Sequence, residues 1–131
     1  MTKFFSKYKV IFFSINFCLF FLYLYPGSVA GQVLYGSKKI QPQITPDFIV
    51  SSNHLYVFVL VSIVGFLTFI KKNQTQVLII YLILLSIVLE LLHLIIPHRT
   101  FQWSDIFGNL IGVIVVILIK KLINKYGVFK K

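Results

Sequence analysis

The sequence predicts an all-α fold, a polytopic membrane bundle with four transmembrane helices in a single domain over residues 1–131. Three observations predict it. Of the 131 residues, 58% are apolar and only 12% charged, whereas a soluble domain carries about 25% charged residues. The apolar residues gather into four runs, each long enough to cross the roughly 30 Å hydrocarbon core as a helix rising about 1.5 Å per residue. The period-2 alternation of a membrane β-barrel is absent, which leaves helices to satisfy the backbone in lipid. The same composition excludes a disordered chain. The single Cys18 excludes an intrachain disulfide and a thiolate zinc cluster.

The first helix is predicted over about 10–25, flanked by Lys3, Lys7 and Lys9 and stopped by Pro26, which cannot continue a helix. A Lys-rich start, an apolar run and then Ser28-Val29-Ala30 also fit a signal peptide with a small-residue cleavage site. Cleavage after Ala30 would leave three spans. Residues 26–53 are predicted as one long outer loop, broken by Gly31, Gly36, Pro42 and Pro46, with Ser51-Ser52-Asn53 able to start the next helix. The second helix covers about 54–70 and is closed by Lys71 and Lys72. The third covers about 77–97, interrupted by Glu90 and His93 and ended at Pro97. The fourth covers about 105–123, with Lys120 and Lys121 reaching back to the interface.

The net charge of +10 has a topological reading. Lysines sit beside the apolar runs, and no separate basic face with base-stacking aromatics exists, which argues against a nucleic-acid partner. All basic residues except Lys38, Lys39 and Arg99 fall at the two termini or between the second and third helices. The positive-inside rule therefore places both termini in the cytoplasm, for a multi-pass protein of the cytoplasmic membrane. Tyr23, Tyr25 and Trp103 are expected at the outer interface. The Asn73-Gln74-Thr75 sequon falls in a cytoplasmic connection and is not expected to be glycosylated.

Polar residues are the exceptions in such a chain, and orientation sends His54, Glu90, His93, His98, Arg99, Asp105 and Asn109 to the outer end. Glu90 and His93 are spaced to share one helix face, Asp105 and Asn109 another. Gly108 and Gly112 form a small-residue seam on which a second helix can approach closely. A charge at membrane depth costs about 2.5–3.5 kcal/mol unless partnered, and Arg99 is the expected partner of Glu90, since a guanidinium grips a carboxylate with two donors. The bland alternative is that these groups only staple helices. One Glu90-x-x-His93 element is too few for a di-iron bundle, so neither a metal nor a cofactor is expected. Ser104, His98 and Asp105 within one short connection do not establish a hydrolase triad. There is no P-loop, and the apolar inner halves argue against a channel.

Glu90-x-x-His93-x-x-x-Pro97-x-Arg99, followed by Asp105-x-x-x-Asn109-x-x-Gly112, resembles the VanZ-like membrane proteins, whose pattern reads approximately E-x-x-Q-x-x-x-P-x-R-x-x-x-x-x-D-x-x-x-N-x-x-G. His93 replaces the family's Gln, and Val50 and Ser51 stand where its second helix tends to carry Asp and Lys ahead of the histidine matched by His54. The resemblance implies a bacterial-type membrane protein that affects envelope behaviour or sensitivity to teicoplanin-type glycopeptides, most members having no assigned activity. The leading expectation is accordingly non-enzymatic, with membrane lipid and an envelope precursor or glycopeptide as partners. The alternatives are an enzyme or carrier for a lipid-linked envelope substrate, with Arg99 on an anionic head group, and a small scaffold of envelope polysaccharide machinery joined through Gly108 and Gly112.

Overall fold

In the computed structural model the chain forms α1 (Thr2–Leu24), α2 (Val29–Tyr35), α3 (Ser52–Thr68), α4 (Lys72–Leu92) and α5 (Trp103–Tyr126). The structure describes the backbone of residues 2–127 and the side chains of residues 8–127. The topological assignment of Lys3, Lys7, Lys130 and Lys131 therefore lies outside the described side chains. Among the described residues every regular element is a helix.

The helix bounds differ from the hydropathy reading for local reasons. α4 begins at Lys72, ahead of the apolar run, because Thr75 anchors its first turn, its amide donating to the Lys71 carbonyl and its Oγ1 to that of Phe69, each at 2.8 Å. It ends at Leu92, and residues 93–97 are not regular α-helix. Leu94 and Ile95 make tight bonds to the carbonyls three residues back, which narrows the last turn ahead of Pro97. The predicted outer loop 26–53 is not one loop, because α2 lies inside it. Ser28 caps α2 by accepting from the Gly31 amide at 2.9 Å, and Gly36 ends it in the left-handed region at φ 66°. Those caps, rather than periodicity, define so short a helix.

α3 lies at the centre, packed on α1, α4 and most extensively α5. Its buried Phe58, Val61, Ser62 and Gly65 recur at three- and four-residue spacing, as one face of a helix must. The facing stripe of α5 runs through Asp105, Gly108, Asn109, Gly112 and Val116. A Cβ at Gly108 would stand 2.7 Å from the Ser51 carbonyl oxygen, and one at Gly112 2.7 Å from that of Leu55. Only glycine allows the two backbones to come so close. Phe58, Leu82, Leu89 and Val113 fill the core between the helices.

The outside of the bundle is apolar as well. Phe17, Val77, Ile80 and Ile114 are all exposed, an exterior suited to hydrocarbon. α4 and α5 are long and apolar enough to cross a membrane. α1 from Tyr8 to Leu24 reaches that standard only together with α2, across a 75° bend, and α3 is apolar but has 17 residues. Among the described residues, length and composition thus show two membrane-spanning helices, or three if the bent pair is one span.

Candidate functional site

The polar residues gather at the end of the bundle where α1 finishes and α3 and α5 begin. Glu90, fully buried on the last turn of α4, is the centre. Its Oε1 accepts the Gln102 backbone amide at 2.9 Å, satisfying an amide that precedes α5. Its Oε2 lies 3.0 Å from His93 Nδ1 and 3.9 Å from His54 Nε2. Among the described residues neither approach makes a hydrogen bond, and Oε2 has no hydrogen-bond partner, although the His93 ring lies within ion-pair distance of it.

His93 Nε2 is 3.0 Å from the Tyr23 carbonyl oxygen. A carbonyl only accepts, so Nε2 carries the hydrogen and fixes the ring. Tyr23 in turn stacks on the His93 ring at 5.8 Å and meets the His54 ring edge-on at 5.1 Å. Its hydroxyl donates to Asn109 Oδ1 at 3.0 Å, while Asn109 Nδ2 donates to the Ser86 carbonyl at 3.2 Å. Asn109 thereby ties α1, α4 and α5 together. His54 enters from the first turn of α3, with Nδ1 2.8 Å from Ser51 Oγ and 3.6 Å from Asp105 Oδ1. Asp105 occupies the first turn of α5, where a carboxylate complements the helix dipole.

Arg99 belongs to the same end but not to Glu90. Nη2 donates to the Leu22 carbonyl at 2.6 Å and Nε to that of Tyr25 at 3.2 Å. Among the described residues no carboxylate lies within ion-pair distance of it. The expected Arg99–Glu90 pair is replaced by a cap on α1, whose last carbonyls have no partner within the helix. Burial lowers the Arg99 pKa from its ordinary value, with Tyr23, Glu90 and Asp105 opposing the shift. The guanidinium nonetheless stays charged at neutral pH.

The structure thus brings His54, Glu90, His93, Asp105 and Asn109 into one contiguous cluster, puts Arg99 at its edge, and lays Gly108 and Gly112 against α3. Tyr23 departs from its predicted place: it is 7% exposed, an internal link rather than an interfacial ring, whereas Trp103 is 66% exposed. Ser104 Oγ reaches Asp105 Oδ1 at 3.4 Å, but among the described residues no hydrogen bond joins His98 to either. His98 instead turns the chain at φ 60°. Ser51 and the Gln102 amide were not legible as site groups, because neither interrupts an apolar run.

A polar cleft of about 270 Å³ opens over the cluster, with Lys38, Lys39, His98 and Arg99 on its walls and His54 and Asp105 on its floor. The segment ahead of α3 shapes it: Asn53 Nδ2 donates to the Pro42 carbonyl, and the Ser52 amide to Asp47 Oδ1, each at 2.8 Å. A larger cleft of about 630 Å³ lies between α1 and α4 toward the opposite end, lined by Phe12, Phe17, Phe69 and Val77. Its walls offer hydrocarbon contact and little chemistry. His54, Glu90 and Asp105 each offer a ligand atom, all within 4.8 Å of one another. No sequence spacing announces that set, because each residue comes from a different helix. No family model, curated protein or solved structure matches the chain.

Proposed function

We propose that this chain is a four-span, VanZ-like protein of the cytoplasmic membrane whose polar cluster faces out of the cell and alters envelope properties, including sensitivity to teicoplanin-type glycopeptides. The observation that carries this reading is the convergence of Glu90, Asp105 and Asn109 with His54 beneath a cleft with basic walls, at one end of an otherwise apolar bundle. The positive-inside rule turns that end outward, toward the compartment where glycopeptides act.

Depth matching supports four spans. The Ser51 amide donates to the Ser104 carbonyl at one end of α3, and Lys120 sits 4.5 Å over the Phe66 ring at the other. α3 therefore covers much of the depth that α5 covers. α1 is tied at two levels too, by Thr68 Oγ1 donating to the Tyr8 carbonyl and by Arg99 on Leu22. In this arrangement α2 lies beside the cleft at the outer surface.

The test is expression in a glycopeptide-sensitive host. Wild type should raise resistance to teicoplanin, and Glu90→Gln at equal membrane abundance should lose the effect. Wild-type protein without effect overturns the proposal. The second reading, a carrier or enzyme for a lipid-linked envelope substrate, is favoured by Lys38, Lys39 and Arg99 beside two carboxylates. That is an arrangement for holding an anionic head group near proton-transfer groups. Native mass spectrometry showing a retained phospholipid-like anion, lost with Lys38 and Lys39 changed to Gln, would favour it.

A further inference from the structure

We infer that α3, α4 and α5 together build a site for one divalent transition-metal ion, with His54 Nε2, Glu90 Oε2 and an Asp105 carboxylate oxygen as ligands and a further position open to the polar cleft. The inference rests on the geometry alone and not on the glycopeptide reading.

Glu90 Oε2 is the starting point. It is fully buried, has no hydrogen bond among the described residues, and lies between the His93 ring, 3.0 Å away without a hydrogen bond, and the space shared with His54 and Asp105. A buried carboxylate oxygen without a donor is costly, and Glu90 cannot rotate to find one without giving up the Gln102 amide on Oε1. His54 presents the complementary feature. Ser51 Oγ, 2.8 Å from Nδ1, can accept the hydrogen of that nitrogen, which leaves Nε2 with a free lone pair. Metal-binding histidines are commonly oriented in this way, through the ring nitrogen that does not bind the metal.

Charge points the same way. Two carboxylates share this buried space, and Arg99, at its edge, makes no ion pair with either and gives Nε and Nη2 to carbonyl oxygens. A divalent ion offsets both carboxylates at once. Dimensions allow it. Bonds of about 2.0–2.2 Å in a tetrahedral site put neighbouring ligand atoms about 3.3–3.6 Å apart. His54 Nε2 and Glu90 Oε2 are 3.9 Å apart, Asp105 Oδ1 approaches the same imidazole at 3.6 Å from Nδ1, and one ligand atom from each of the three residues fits within 4.8 Å, so side-chain rotation that turns Asp105 toward Nε2 closes the set. One imidazole and two carboxylates suit zinc, manganese or ferrous iron, whereas calcium sites use oxygen ligands alone. Three protein ligands leave a position for water or for an anionic oxygen held by Lys38 and Arg99.

The experiment uses the full chain in mild detergent, stripped with a chelator and dialysed against zinc or cobalt(II). Elemental analysis should find one ion per chain, and cobalt should give visible absorption bands of a low-symmetry site. Glu90→Gln and Asp105→Asn should each abolish stoichiometric binding, and Ser51→Ala should weaken it roughly 10–100-fold. His93→Gln should retain it. X-ray absorption at the zinc edge of wild type, which needs no variant to fold, should report one imidazole among oxygen donors. Absence of a stoichiometric ion from wild type, several imidazoles in that spectrum, or undiminished binding in both carboxylate variants overturns the inference. Metal content is read without any susceptibility assay, so this inference and the proposed function can fail separately.

Discussion

Arg99 works through the direction of its donors rather than through its charge alone. Nε and Nη2 diverge from one plane to reach the Tyr25 and Leu22 carbonyls, and a lysine ammonium cannot stand in for that fork. Arg99→Lys should therefore cost about 0.5–1.5 kcal/mol, the net range of a typical hydrogen bond, since the Leu22 contact is exposed and the Tyr25 contact part-buried, seen as a lower unfolding midpoint in detergent. An unchanged midpoint would show that the cap contributes nothing. Asn109 sits with no exposure and uses both ends of its amide. Asn109→Ala should destabilise more than Tyr23→Phe, which loses only one interhelical bond worth about 0.6 kcal/mol on average in membrane bundles. A double-mutant cycle on the two positions checks this. The polar residues of the site stood out in the sequence because Glu90 and Asn109 interrupt apolar runs. Their partners did not, because half of them are backbone groups: the Gln102 amide and the carbonyls of Leu22, Tyr23, Tyr25 and Ser86. Side-chain patterns carry no record of which carbonyl lacks a donor.

Helix contacts depend on whether a close neighbour can move. The Gly112 position faces the Leu55 carbonyl, part of a helix backbone, whereas the Gly65 position faces the tips of Leu78 at 3.0 Å. Gly112→Ala should consequently push α5 off α3 and destabilise by about 1–3 kcal/mol, as overpacking does. Gly65→Ala should be milder, because Leu78 can change rotamer. Equal midpoints for the two variants in thermal unfolding would contradict this account. The long helices were legible because each buries one stripe and offers apolar side chains to the outside, and the glycine seam was legible from its spacing. α2 was not, since seven residues show little periodicity and its definition rests on Ser28 and Gly36. Hydropathy also misplaced the ends of α4, because it follows the apolar run and not the hydrogen bonds that start and stop a helix.

The bundle as a whole turns on α3, the shortest of the four long helices and the one with the largest share of packing. Its 17 residues cover about 26 Å at the usual rise, somewhat less than the hydrocarbon core. The shortfall is modest, since local thinning and flanking polar groups absorb it at fractions of a kcal/mol per ångström. Its ends are also fixed against α5, near Ser104 on one side and Lys120 on the other. If α5 crosses, α3 must pass through the same layer or carry α5 away from it. Topology reporters decide the matter by parity. Fusions after Lys39 and after Arg99 should read as external, and fusions after Lys72 and at the carboxyl end as cytoplasmic. Should α3 not cross, Lys39 and Lys72 would report the same side while Lys72 and Arg99 still differed across α4. That outcome would remove the proposed fourth span, and with it the outward orientation proposed for His54, Glu90 and the cleft with basic walls.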